Sequence, residues 1–182
     1  MPTSNFTFKD AVFNHIKFVV GFDNRFKILD VGAGYGTYAR GIPDLKMDAL
    51  EVYQPYIDEY NLKNLYNNVY CGNILTFDYD GYDYIIMGDV LEHLQKKDAI
   101  KLIEDISNKK IKLLVGVPYK MEQSSKFNFL DKDWDVEFEI HHQPDLTHRI
   151  IKSRYPSLEI FLTDNRDNCG YAYYTNYLKW IF

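Results

Sequence analysis

The sequence predicts an α/β fold, an open, twisted, mostly parallel sheet with helices on both faces. Three observations point there. Short apolar runs alternate with helix-length segments from residue 8 to residue 118, and such alternation implies parallel pairing through right-handed crossovers. The run at 83–87 is continuously apolar after Asp83, the pattern of a central strand buried on both faces. The run Ile28-Leu29-Asp30-Val31 leads directly into Gly32-Ala33-Gly34-Tyr35-Gly36-Thr37, a G-x-G-x-G triplet between a strand and a helix. With 182 residues and 46% hydrophobic content, the chain reads as one domain spanning 1–182 with a sizeable core.

The elements follow in order. Phe8, Ala11, Val12, Ile16, Val19 and Val20 fall near helical spacing, which predicts a leading helix over 8–20. Strand one is 27–31, followed by a short helix over 37–42 that ends before Pro43. Strand two is 47–52. A helix over 54–65 starts with Pro55 in its first turn, where its missing N–H costs nothing. Strand three is 68–71 and strand four 83–87. Asp98 is placed to cap a helix over 99–107. Strand five is 112–117, stopped by Pro118. The alternation then breaks over 119–145, rich in aromatic and charged residues. A stretch this long without regular structure reads as a functional segment, here a lid. A helix over 146–154 and two strands, 158–163 and 170–177, complete the chain, joined by the polar turn 164–168. Most of the sixteen tyrosines are expected half-buried on sheet faces.

The glycine triplet carries the first chemical argument. Glycines turn sharply and let backbone approach a ligand, and the N-terminus of a following helix favours an anionic group. A small molecule with an anionic group is therefore expected there. Dinucleotide sites prefer G-x-G-x-x-G, whereas position 37 is Thr and the third glycine comes one residue early. Glu51 stands 21 residues after Asp30, at the end of strand two, where an acid accepts hydrogen bonds from ribose hydroxyls.

With these residues in place, the run 28–37 resembles motif I of the class I S-adenosylmethionine (SAM)-dependent methyltransferases, a Rossmann-like family. Gly88-Asp89-Val90-Leu91-Glu92-His93-Leu94 resembles the D-x-L-E-H-L form of its motif after strand four, common among small-molecule methyltransferases. The resemblance covers about residues 25–177. It implies seven strands, one antiparallel near the C-terminus, with 158–163 and 170–177 as the family's C-terminal antiparallel pair. It implies SAM as donor and S-adenosylhomocysteine as product. The implied donor contacts are Asp30, Gly32, Ala33, Gly34, Gly36, Glu51, Val52, Asn73, Ile74, Asp89 and Val90. Asn73 stands where the family often has an acid facing the adenine amine. Its carbonyl can accept from that amine and its NH₂ can donate to a ring nitrogen, with Ile74 against the adenine face. Asp89 would hold the methionine end, and His93 would lie near the transferring methyl.

His93 and His142 are the candidate bases for taking a proton from the acceptor. His141 and His142 are adjacent, and neighbouring side chains on an extended backbone diverge. No third ligand stands at a suitable spacing, so no metal is expected. No D/N-P-P-Y/F/W tetrapeptide follows strand four, and no P-loop or G-x-S-x-G elbow occurs. A net charge of -5 and pI near 5.5 argue against nucleic acid and favour a small-molecule or sugar acceptor; the oligomeric state is open. Cys71 and Cys169 are far apart without CxxC spacing and read as reduced thiols of a cytoplasmic protein. No apolar run approaches the ~20 residues that span a bilayer, and the first ten residues lack the pattern of a secretory signal. The alternatives are a catalytically silent SAM-fold binding or scaffold protein and an NAD-dependent oxidoreductase.

Overall fold

The computed structural model describes residues 8–21, 26–119, 142–143, 145–163 and 170–177. Helix α1 (Lys9–Val20) leads into β1 (Ile28–Val31), followed by α2 (Thr37–Gly41), β2 (Asp48–Glu51), α3 (Gln54–Glu59) and β3 (Val69–Cys71). Then come β4 (Tyr84–Gly88), α4 (Lys96–Asn108), β5 (Lys112–Tyr119), α5 (His148–Arg154), β6 (Glu159–Thr163) and β7 (Gly170–Thr175). The strands form one seven-stranded sheet in the order β3-β2-β1-β4-β5-β7-β6. All pairings are parallel except those of β7, which runs antiparallel to both β5 and β6. The expected architecture, with one antiparallel strand near the C-terminus, is the one observed.

Strand alternation sorts the core into two layers. Leu29, Val31, Ile85, Met87, Leu113, Val115 and Val117 face one side, packed with α4 and α5 residues such as Ile103 and Ile151. Ile28, Tyr84, Ile86, Leu114 and Tyr173 face the other, packed with Val12, Ile16 and Val20 of α1. Successive strand residues point to opposite faces, so one strand feeds both layers.

Four local expectations are corrected. The segment 54–65 is not one helix. Asn61 adopts φ 54°, and the chain continues as a 3-10 turn at Leu62–Asn64; asparagine tolerates the left-handed conformation that interrupts the helix. Asp98 does not cap α4, because the helix begins two residues earlier at Lys96 and Asp98 lies in its first turn, where a carboxylate still complements the dipole. Pro118 does not stop β5. Pairing with β4 ends at Gly88↔Gly116 while pairing with β7 continues through Pro118↔Tyr171, so the proline, lacking an N–H, sits where β5 has lost one neighbour. Finally, Tyr84, Tyr155, Tyr173, Tyr174 and Tyr177 are fully buried rather than half-buried.

The lid expected at 119–145 lies outside the described residues, except for its ends at Tyr119, 142–143 and Asp145. Cys169 and His141 lie outside them too. Cys71 is an exposed free thiol. Among the described residues, no helix is long and apolar enough to cross a membrane, and no three His, Cys, Asp or Glu side chains gather as a metal site.

Candidate active site

Strand order reverses between β1 and β4, with β2 and β3 on one side and β5, β7 and β6 on the other. In open α/β sheets, ligands bind in the crevice beyond the carboxyl ends of strands at such a switch point. Val31 is level with Leu50 and Met87, so the turns leaving β1, β2 and β4 open at the same edge. The sequence-predicted glycines and Asp89 lie on these turns, and Glu51 is the last residue of β2.

The glycine loop depends on conformations that side chains avoid. Gly32, Gly34 and Gly36 have φ of 65°, 48° and 79°, the left-handed region where only glycine is free of a Cβ penalty. Gly32 is also crowded, since a Cβ there would stand 2.5 Å from Val90 Cγ2. Gly32 N–H and Ala33 N–H donate to the Leu50 carbonyl at 2.8 and 3.4 Å. The helix that follows has only five residues, too few peptides to sum into a strong dipole. The expected anion attraction at this helix start is therefore weak, because the N–H groups of Gly32, Ala33, Gly34 and Gly36 are all taken by acceptors within the protein.

Glu51 organises that loop. It is buried, with Oε2 accepting from Gly34 N–H at 2.9 Å and Oε1 from Tyr53 N–H at 3.0 Å. The sequence reading gave it a ligand contact; the fold also makes it a brace between the ends of β1 and β2. Asp30 is buried beneath the loop and accepts a 2.5 Å hydrogen bond from Tyr66 Oη. Burial pushes its carboxyl up to about 7, against the opposing pull of the Tyr66 hydrogen bond and the Lys9 charge.

The turn after β4 is equally constrained. Asp89 has φ 56°, unusual for a non-glycine residue and of the kind that clusters at functional sites. Its N–H donates to the Gly116 carbonyl at 3.0 Å. Leu91–His93 then form a 3-10 turn, with His93 half-buried. The fold brings His142 to this same turn. Its N–H and that of Gln143 donate to the Glu92 carbonyl at 2.9 and 3.1 Å, and Gln95 Nε2 donates to His142 Nδ1 at 3.0 Å.

The remaining predicted residues lie as follows. Val52 and Val90 are half-buried, Ala33 is buried and Asn73 is exposed. Asn73 Oδ1 accepts from Leu75 N–H at 2.8 Å, which closes its own turn. The Ile74 side chain packs into the core cluster that holds Leu50 and Tyr79.

Sequence reasoning missed two groups. Gln143 is buried and its side chain makes four bonds. Nε2 donates to the carbonyls of Leu91 (2.8 Å) and Leu94 (3.3 Å), and Oε1 accepts from Tyr155 Oη (2.8 Å) and Arg154 Nη1 (3.2 Å). No local pattern marks it. The second group is Lys9 of α1, also buried, with Tyr38 and Tyr173 beside it. Here a signal existed, since Lys9 is in phase with the buried stripe Val12, Ile16 and Val20.

No protein-family model and no curated protein matches the sequence. Solved structures do match in fold. A SAM-dependent methyltransferase from Clostridium acetobutylicum superposes with a TM-score of 0.61 at 14% identity, covering 90% of this chain and 89% of that one. Magnesium protoporphyrin IX methyltransferase (ChlM) from Synechocystis, with S-adenosylhomocysteine (SAH) bound, gives 0.60 at 14% identity, covering 95% and 88%. The N-terminal domain of EvdMO1 with SAH bound gives 0.60 at 13% identity, covering 92% and 80%. The chain spans 40% of the longer EvdMO1 structure. The fold of this chain is that of the class I SAM-dependent methyltransferases.

Proposed function

We propose that this chain is a methyltransferase that moves a methyl group from SAM to an oxygen or nitrogen of a small-molecule or sugar acceptor. The observation that carries the reading is the convergence of the glycine loop, Glu51 and Asp89 on one edge of the sheet, at its switch point. The residues fit such a donor. Three left-handed glycines leave alternate positions of the loop without side chains, and Val90 fills the space that a Cβ on Gly32 would need. In this reading, Asp30, Gly32, Ala33, Gly34, Gly36 and Val90 shape the crevice. Glu51 and Val52 hold the ribose side, Asn73 and Ile74 flank the adenine, and Asp89 takes the methionine end. The exposed free thiol Cys71 suits a reducing compartment, the cytoplasm.

When bound, SAM supplies an electrophilic methyl on a sulfonium. An acceptor lone pair forms the new bond to that methyl carbon as the carbon–sulfur pair returns to sulfur, and SAH leaves. The chain's contribution is first positioning, which removes the entropy of bringing two molecules to attack distance. Its second contribution is a proton acceptor beside the reacting atom. His93, half-buried at the end of the turn after β4, and His142, exposed and tied to that turn through the Glu92 carbonyl, are the candidates, either able to take the acceptor's proton at a ring nitrogen.

Calorimetry tests the donor: SAM and SAH bind, and NAD does not. Binding of NAD instead would overturn the reading. With an acceptor in hand, replacing the working base by alanine lowers kcat by about 10²–10⁴-fold at saturating substrates while SAM affinity holds. If neither His93→Ala nor His142→Ala lowers kcat, positioning alone is the mechanism.

A further inference from the structure

Among the described residues, Lys9 is the one lysine or arginine that is fully buried, at 4% exposure. Burying an ammonium is costly unless it is paired. The pairing here is partial. Nζ donates to Tyr38 Oη at 3.2 Å and lies 4.5 Å from the centre of the Tyr38 ring and 5.5 Å from that of Tyr173. The charges of Asp89 and Asp30 favour the ammonium, yet burial outweighs them and lowers its pKa to about 8. An aliphatic residue in the same stripe would pack against α1's neighbours without that cost. The cation is therefore held at a sacrifice of stability, at the ligand edge of the sheet.

Its surroundings fit one chemistry. Tyr38 Oη stands 2.6 Å from where a Cβ on Gly88 would be, immediately before Asp89. A Cβ on Gly116, level with Gly88, would meet Tyr173 Cε1 at 2.8 Å and Tyr171 Oη at 2.9 Å. These two glycines let three tyrosines lean over the strand ends, and Tyr171 Oη is buried with no hydrogen-bond partner among the described residues. The result is a buried cation and neutral hydroxyls beside two acids on neighbouring strand ends. That is the charge pattern of a receptor for a zwitterionic α-amino acid, with the acids for its ammonium and the cation and hydroxyls for its carboxylate. An NAD-type ligand carries no such group.

We infer that Lys9, with the Tyr38 hydroxyl, receives the α-carboxylate of the donor's methionine tail. The inference rests on the donor reading above, and its test separates the two. The full chain and its Lys9→Met and Lys9→Arg variants are titrated calorimetrically with SAH and with 5′-methylthioadenosine, which keeps the adenosine and sulfur but lacks the amino-acid tail. Lys9→Met should weaken SAH by roughly 10- to 100-fold, as loss of a charge-assisted hydrogen bond does. It should leave methylthioadenosine within twofold and the melting temperature unchanged or higher, and Lys9→Arg should recover part of the SAH affinity. Equal SAH binding by Lys9→Met, or equal losses for both ligands, overturns the assignment. If wild type binds neither ligand, the donor reading itself fails. Should Lys9→Met not fold, Tyr38→Phe decides, with a loss for SAH alone expected.

Discussion

The two faces of the sheet use the same strands differently. On the face covered by α4 and α5, strand residues such as Leu29, Ile85, Leu113 and Val115 are aliphatic and fully buried. Two buried polar groups there are well paired. Asp48 accepts from Tyr82 Oη at 2.8 Å and Asn68 Nδ2 at 2.9 Å, and Gln143 uses both ends of its amide. On the face covered by α1 and α2, the layer is apolar at Ile28, Tyr84 and Ile86 but changes toward the carboxyl ends of the strands. There, Asp30 and Lys9 have pKa values moved toward neutrality, and glycines at 88 and 116 replace side chains with room for tyrosines. Saturated buried polarity fixes structure. Buried ionisable groups with shifted pKa values make this edge the candidate site, since such shifts concentrate where function does.

The contrast can be broken from either side. The largest effect should come from Ile85→Ala on the aliphatic face, with a loss of about 2–5 kcal/mol in denaturant unfolding and unchanged SAH affinity in the remaining folded protein. If SAH affinity falls in parallel, the faces are not separable. Glu51→Ala should lower SAM affinity by about 2–4 kcal/mol. It should also lower stability, because Gly34 and Tyr53 N–H groups lose their acceptor; stability loss alone would reduce Glu51 to a brace. Gln143→Ala should cost about 1–3 kcal/mol of stability through the stranded carbonyl and hydroxyl partners, with SAM affinity kept. A further effect is pH-linked. The native Asp30 carboxyl titrates near 7 rather than near 4, so the native state binds more protons between those values and wild-type stability falls as pH rises through that window. Asp30→Asn should flatten this slope and be the more stable form above pH 7. An unchanged slope would place the titration elsewhere.

What could be read from the sequence was local geometry. The glycine triplet demands left-handed backbone wherever it occurs, an uninterrupted apolar run marks a central strand, and the G-x-G-x-G, Glu51 and Gly88-Asp89 spacings place three turns on one sheet edge once the strands are parallel. The predicted parallel pairing and antiparallel C-terminal strand followed the same logic together with the family resemblance, whereas the strand order came from the structure. The tertiary structure alone decided which polar residues were buried and with what. Lys9 meets Tyr38 across 29 residues, Tyr66 reaches Asp30 across 36, and Gln143 reaches Leu91 across 52. It also let β5 run through Pro118, because β7 continues the pairing that β4 has left. Backbone preference is a property of a few adjacent residues, whereas the free energy of burying a charge depends on every group that surrounds it. The sequence therefore located the glycine loop at the switch point of the sheet, and only the packed fold put a buried cation close to it.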